Sequence, residues 1–265
     1  MTGPEIFSPD YYERLRRLEA GGWWNAAMRD ILGRAIESLS LPASGLLVDV
    51  GCGSGEALAW FGASHPGWQA VGVDLAWEGL RAVPVGPSVG AVRASALALP
   101  LPAACADVVV SQDLLQHLPL DGGDARALAE IRRILKAGAA FVLRTNAQST
   151  PRTEDDEQYQ FHRYETRELR RKLMAAGFRV ERIGRVNAAL GLAEIPREWR
   201  ALQATGRAYH GVLAAAPEPG RLSALDQWKR RWLRMEGLAM LRGWSLPFGR
   251  THVAVCRALD GAEHR

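Results

Sequence analysis

In the run Leu46 to Leu58, LLVDVGCGSGEAL, an acid and three glycines close a short apolar stretch: Asp49, Gly51, Gly53 and Gly55, with Cys52 inside the turn. A glycine turn at a strand end lets a ligand approach the backbone, and the common ligand is a phosphate held at a helix N-terminus. Here Asp49 and Glu56 flank the turn, and two carboxylates would repel a pyrophosphate. The spacing also misses the dinucleotide pattern G-x-G-x-x-G by one residue, because Glu56 and Ala57 follow Gly55. Such a pocket suits an ammonium or a sulfonium. At ~4 Å and an effective dielectric near 20, one opposite charge is worth about 4 kcal/mol before desolvation. Asp74, followed by Leu75, ends the next apolar run, QAVGVDLA, where a carboxylate can chelate ribose hydroxyls. The two acids together point to a nucleoside with a cationic tail.

Other residues could act on a second substrate. His117, in SQDLLQHLPL, and His162, in YQFHRY, are candidate general bases, since an imidazole of ordinary pKa about 6.5 can take a proton near neutrality. A purely structural role competes for both. Gln112 and Asp113 should shape the mouth beside His117. Arg144 and Asn146 could orient an acceptor, or simply cap their strand end. Tyr159 and Tyr164 are expected on the substrate side, and Tyr11, Tyr12, Trp23 and Trp24 could form an aromatic lid. Of Trp23 and Trp24, one is expected in the core and one on the lid. The acidic stretch EDDE at 154–157 lacks a third ligand at a fitting distance, so no metal is expected.

These residues need elements to carry them. The strand candidates are Leu46–Val50, Gln69–Asp74, Val89–Arg93, Asp107–Ser111, Ala139–Thr145, Phe178–Ile183 and His252–Arg257. Helix candidates lie near Glu56–Ala63, Trp77–Ala82, Asp124–Leu135 and Thr166–Ala176, the last with Thr166 as its cap and Gly177 as its stop. Pro9 to Leu41 reads as two helices broken at Gly21 and Gly22. Short apolar runs alternating with helices predict an α/β fold, a doubly wound parallel sheet with its ligand at the C-terminal strand ends. Ala188 to Trp244 reads as further helices. In one of them Leu225, Trp228, Trp232 and Met235 share a face, expected to pack as a lid on the sheet edge rather than to lie in a membrane interface.

The glycine turn, Asp74 and VRASALALPLPAACADVVVSQDLLQHL together resemble the class I S-adenosylmethionine-dependent methyltransferases, from about Leu46 to Val186. That family typically has Gly-Asp-Ala where this chain has Ala94, Ser95 and Ala96. Ser95 thus stands in for a carboxylate that would accept from the adenine amino group, and a neutral bond is roughly half as strong. IRRILKAGAAFVLRTN is similar to the family's turn into strand five. RLEAGGWWNAAMRDIL and SLPFGRTHVAVCRA resemble the ends of bacterial small-molecule methyltransferases. The resemblance implies a Rossmann-like sheet of seven strands, ordered 3-2-1-4-5-7-6 with the last antiparallel. It implies a helical cap over 1–44, a cofactor-binding core over 45–186, a helical lid insertion over 187–250 and a last strand with tail over 251–265. S-adenosylmethionine would be the cofactor, contacted by Asp49, Gly51, Cys52, Gly53, Gly55, Asp74, Leu75, Ser95, Ala96, Gln112 and Asp113. The acceptor would be a small molecule, met by Tyr12, Trp24, Arg144, Asn146, Tyr159 and Tyr164.

Composition narrows the alternatives. The 265 residues carry a net charge of +4, split unevenly. Residues 1–160 have 13 Lys and Arg against 19 Asp and Glu, and residues 161–265 have 20 against 10. A basic C-terminal part keeps a nucleic-acid methyltransferase open, but the strand-four end Ser-Gln-Asp lacks the Pro-Pro-aromatic grip used on a flipped base. A non-catalytic scaffold keeping the cofactor pocket, and a dehydrogenase, are further alternatives. The three cysteines lie far apart, which suits a reducing cytoplasm and excludes a zinc site built from C-x-x-C pairs. Neither an export signal nor a membrane span is expected, and an oligomer is possible.

Overall fold

The computed structural model describes residues 13, 16–17, 22–148, 162–189, 191, 200 and 222–260. Seven strands form one sheet: β1 (Gly45–Val50), β2 (Trp68–Asp74), β3 (Val89–Arg93), β4 (Ala106–Gln112), β5 (Leu135–Asn146), β6 (Phe178–Val186) and β7 (Thr251–Ala258). Their order is β3-β2-β1-β4-β5-β7-β6, with β7 antiparallel to both neighbours and the other pairings parallel. Chain order reverses between β1 and β4, so loops leaving β1 and β4 diverge and open a crevice at their C-terminal ends.

Alternation along the strands supplies a core on each face of the sheet. Val48, Val50, Val109, Phe141 and Leu143 point to one side, against α4 (Gly123–Ile134) and α5 (Thr166–Ala175). Leu47, Val108, Val110, Ala140 and Val142 point to the other, against α1 (Trp23–Glu37) and α2 (Glu56–Ser64). A short helix, α3 (Trp77–Leu80), follows β2. Central strands buried on both faces must read as continuous apolar runs, and here they do.

Helix α6 (Ala224–Leu241) starts at Ser223, whose hydroxyl accepts from the Asp226 N–H at 3.1 Å. It packs on α1 and β6 through Leu233, Gly237 and Met240. A Cβ at Gly237 would collide with Ile31, so glycine permits a close helix–helix approach. The stripe expected to pack, Leu225, Trp228, Trp232 and Met235, points to solvent instead. The reason is that the helix has two apolar stripes, and the one with the small residue fits against α1. A smaller correction concerns α5. Glu165, not Thr166, holds the cap position, and the Thr166 hydroxyl accepts from Arg185 Nε at 3.2 Å. Gly177 ends the helix as expected, at φ 88°.

His252 on β7 is fully buried, and its Nε2 lies 3.1 Å from the Tyr164 carbonyl oxygen. Burial pushes its pKa down from 6.5 to about 4, so the imidazole is neutral in the fold. The unfolded chain binds this proton from about pH 6.5 downward, while the fold resists it to about pH 4. The stabilising contribution is therefore present above pH 6.5 and lost as pH falls toward 4, by about 3 kcal/mol. Chemical denaturation of wild type and His252→Asn at pH 7 and pH 4.5 should show a smaller pH-dependent loss in the variant.

Candidate functional site

The glycine turn is built on the end of β2. Gly51 and Cys52 both donate N–H bonds to the Val73 carbonyl, at 2.8 and 3.2 Å. Asp74 then binds the next loop residue: its Oδ2 accepts from Gly53 N and its Oδ1 from Ala76 N, each at 2.9 Å. A carboxylate offers about four lone-pair sites, so two remain for ligand hydroxyls. Leu75, beside it, is exposed, and Asp49 is buried at the end of β1.

The three glycines serve different purposes. Gly51 has φ 81°, and a Cβ there would lie 2.9 Å from Leu114 Cβ. Gly55, at φ 79°, would meet Val83 at 3.0 Å. Only Gly53, at φ 52°, faces open space within 4 Å. So two glycines accommodate protein side chains, and one keeps a cradle open. The electrostatics are also sharper than the sequence suggests. Glu56 is ion-paired with Arg29 of α1, which neutralises one of the two acids expected to make the turn negative. The Asp74 carboxylate accepts from backbone N–H groups, so its negative charge stays at the end of β2.

Ser95 and Ala96 follow β3 on the same edge, with the Ser95 hydroxyl accepting from Leu97 N at 3.2 Å. Across the crevice, the ends of β4 and β5 are fastened together. Asp113, at φ 53°, donates its N–H to the Arg144 carbonyl at 3.0 Å, while its carboxylate accepts from Arg144 Nε at 3.1 Å and from Nη2. The Arg144 guanidinium lies 4.9 Å from the centre of the Trp24 ring. Trp24, Asp113 and Arg144 are thus brought together at this edge, with Gln112 and Asn146 beside them on the strand ends. Trp23 and Trp24 are both half-buried against α6, so the expected division between core and lid is not seen.

Below this edge lies a buried polar clamp that the sequence reading missed. Gln116 is buried, and its Oε1 accepts from the Thr145 hydroxyl at 3.1 Å and from Asn146 N at 3.0 Å. Its carbonyl accepts from His162 N at 2.8 Å. The short turn Leu115–His117 therefore holds both candidate bases near one another in the chain's path: His117 directly, and His162 through Gln116. His162 Nε2 lies 3.1 Å from Glu168 Oε1, and its ring stacks on Tyr164 at 4.1 Å. Tyr164 itself is not a substrate-side residue. It is fully buried, and its hydroxyl lies 3.2 Å from the Leu115 carbonyl and 3.1 Å from Asp124 Oδ2. Burial raises the Asp124 pKa, but Lys172 at 2.8 Å and the Tyr164 hydroxyl outweigh it and leave the carboxyl below its ordinary range. Tyr11, Tyr12, Tyr159 and the 154–157 stretch lie outside the described residues. Among the described residues no group of three or more His, Cys, Asp or Glu could hold a metal ion.

Residues 48–143 match a family described as a methyltransferase domain. The centre of this chain is thus similar to a methyltransferase domain. A curated relative, the ubiquinone/menaquinone biosynthesis C-methyltransferase UbiE of Syntrophotalea carbinolica, is 29% identical over 152 residues. That match spans 52% of this chain and 58% of the relative. Among solved structures, phosphoethanolamine N-methyltransferase 2 of Haemonchus contortus in complex with S-adenosyl-L-methionine superposes with a TM-score of 0.61 at 14% identity, covering 96% of this chain and 58% of that one. The cyclase SpnF superposes with a TM-score of 0.58 at 17% identity, covering 88% and 81%. These superpositions show the same fold around the methyltransferase domain. No helix among the described residues is long and apolar enough to cross a membrane.

The glycine assignments lead to a stability test. Gly51→Ala must both hold φ 81° and displace Leu114, which should cost roughly 2–4 kcal/mol in denaturant unfolding. Gly53→Ala has only its backbone conformation to offset and should cost about 1 kcal/mol. Equal losses would contradict the division of roles.

Proposed function

We propose that this chain transfers a methyl group from S-adenosylmethionine to an oxygen, nitrogen or carbon atom of a small molecule, such as a sugar, an aromatic compound or a secondary metabolite. One observation carries the reading: Asp74 ties down Gly53, the one of the turn's three glycines with an open side, and still has lone pairs for a ribose. The pocket fits that cofactor. Gly53 leaves the space a Cβ would fill, and Asp49 and Asp74 supply negative charge for a cationic ligand. Leu75, Ser95 and Ala96 would meet the adenine, while Gly51, Cys52, Gly55, Gln112 and Asp113 would line the rest. When bound, S-adenosylmethionine supplies an activated methyl group on a sulfonium.

The chain's own work is then alignment and proton handling. Tying β4 to β5 through Asp113, Arg144 and Gln116 fixes the wall against which an acceptor would lie, so little reorganisation is needed. Trp24 over Arg144 would present a flat, half-buried surface, with Asn146, Tyr12 and Tyr159 as further acceptor contacts. His117 or His162 would take the acceptor's proton, the latter with Glu168 stabilising the imidazolium. The segments 1–44 and 187–250 would cover the core, and 251–265 would complete it. The relatives' names, a C-methyltransferase of quinone biosynthesis and a phosphoethanolamine N-methyltransferase, support small-molecule acceptors without selecting one.

Calorimetric titration should detect S-adenosylmethionine binding that Asp74→Ala weakens at least tenfold, about 1.4 kcal/mol. Binding of NAD in its place would overturn the proposal. A methyl-transfer assay over an acceptor panel then names the acceptor. With that acceptor, replacing the true base among His117 and His162 by Ala should lower kcat by ~10²–10⁴. Loss of neither would leave alignment as the whole contribution.

A further inference from the structure

Helix α6 carries its apolar residues in two stripes, and only one is used by the fold. Leu233, Gly237 and Met240 pack on α1 and β6. On the opposite side Leu225 is 60% exposed, Trp228 53%, Trp232 39% and Met235 62%. These four recur at spacings of three and four, so they form one continuous face. The Trp228 and Trp232 rings stack, 5.9 Å apart and 25° from parallel, into a single aromatic plate. The indole N–H of Trp232 already donates to Glu236 Oε1 at 2.7 Å, so the plate needs no polar partner from outside.

Charge selects among occupants. Arg231 and Arg242 lie along one side of the face by helical spacing, exposed and without an ion pair among the described residues. The two acids of the helix are engaged: Asp226 with Ser223 and Lys229, Glu236 with Trp232 and the N–H groups of Ala188 and Ala189. The face therefore offers an apolar centre with a cationic edge along one side. A second copy docking by a two-fold axis would bring the same patch against itself and set like charges in opposition. An anionic lipid surface complements both parts, with tryptophans at headgroup depth and arginines on the phosphates.

We infer that the Leu225, Trp228, Trp232 and Met235 face of α6 seats this protein on an anionic phospholipid bilayer, lying in the interface without spanning it. The helix has the wrong composition to span, since no helix among the described residues is long and apolar enough to cross a membrane. The inference is independent of the proposed reaction, because its readout is binding alone.

The test is co-sedimentation of the full chain with vesicles of phosphatidylglycerol or of phosphatidylcholine. Phosphatidylglycerol vesicles should capture the protein at least tenfold better, and rising salt should reduce that advantage. The double variant Trp228→Ser with Trp232→Ser should lose at least tenfold of the binding, and Arg231→Glu with Arg242→Glu should lose the lipid preference. Circular dichroism checks that each variant is folded, which their exposure favours. Failure of the wild type to bind phosphatidylglycerol vesicles, or binding unaffected by both double variants, would overturn the inference. Concentration-dependent self-association abolished by the tryptophan changes, without vesicle binding, would overturn it in favour of a second copy.

Discussion

Everything at the ligand edge hangs from the end of β2. The Val73 carbonyl accepts from Gly51 and Cys52, and the Asp74 carboxylate accepts from Gly53 and Ala76. Four backbone N–H groups of two loops are thus satisfied by two adjacent residues. A turn with three left-handed glycines would otherwise sample many conformations, because each glycine has more freedom to lose than any other residue. The hydrogen bonds from Val73 and Asp74 select one of them. The same carboxylate proposed to hold a ribose therefore shapes the cradle beside it, which couples loop geometry to ligand contact.

The opposite wall depends on burial of a different kind. Gln116, Tyr164, Asp124 and His252 are all buried polar groups, and each is costly unless paired. The pairing runs through the loops after β4 and β5: Gln116 binds Thr145 and Asn146, Tyr164 binds Leu115 and Asp124, and His252 binds the Tyr164 carbonyl. Because these contacts join the turn Leu115–His117 to β5, to α4 and, through Tyr164, to β7, they hold that turn at a fixed height over the sheet. Buried Gln116 thereby sets where its neighbour, the half-buried His117, stands.

How far the sequence could be read follows from how local each signal is. All seven strands were recognisable within a few residues, the central ones because burial on both faces forces unbroken apolar runs. The positions of Asp49 and Asp74 at the strand ends were legible in the same way. Gln116 and the role of Tyr164 were not. Their partners are 29 to 49 residues away in sequence, and no local spacing announces a long-range hydrogen bond. Tyr164 reads as a loop aromatic and is in fact core. The orientation of α6 was misread because two stripes are apolar, and the deciding feature is the missing side chain at Gly237 against Ile31. Glu56 was overcounted as a pocket charge because its partner, Arg29, arrives from a separate helix.

That last pairing bears on ligand choice. Four acids cluster near the strand ends, Asp49, Glu56, Asp74 and Asp113, and two of them have arginine partners, Arg29 and Arg144. Uncompensated, four carboxylates would raise one another's cost and attract any cation, metal ions included. With Glu56 and Asp113 paired to arginines, the carboxylate of Asp74, bound by two backbone N–H groups, is the one at the β2 end where a ribose would be placed. On the β4 and β5 side the Asp113 carboxylate is paired with Arg144, whose guanidinium lies against the Trp24 ring. A carboxylate at the β2 end and an Asp–Arg pair at the β4–β5 ends would give the two sides of the crevice different charge. That difference would favour the cationic end of the proposed cofactor on one side. The shared fold of the cyclase SpnF shows why that matters, since the sheet itself does not dictate a reaction and the side chains on these two walls must.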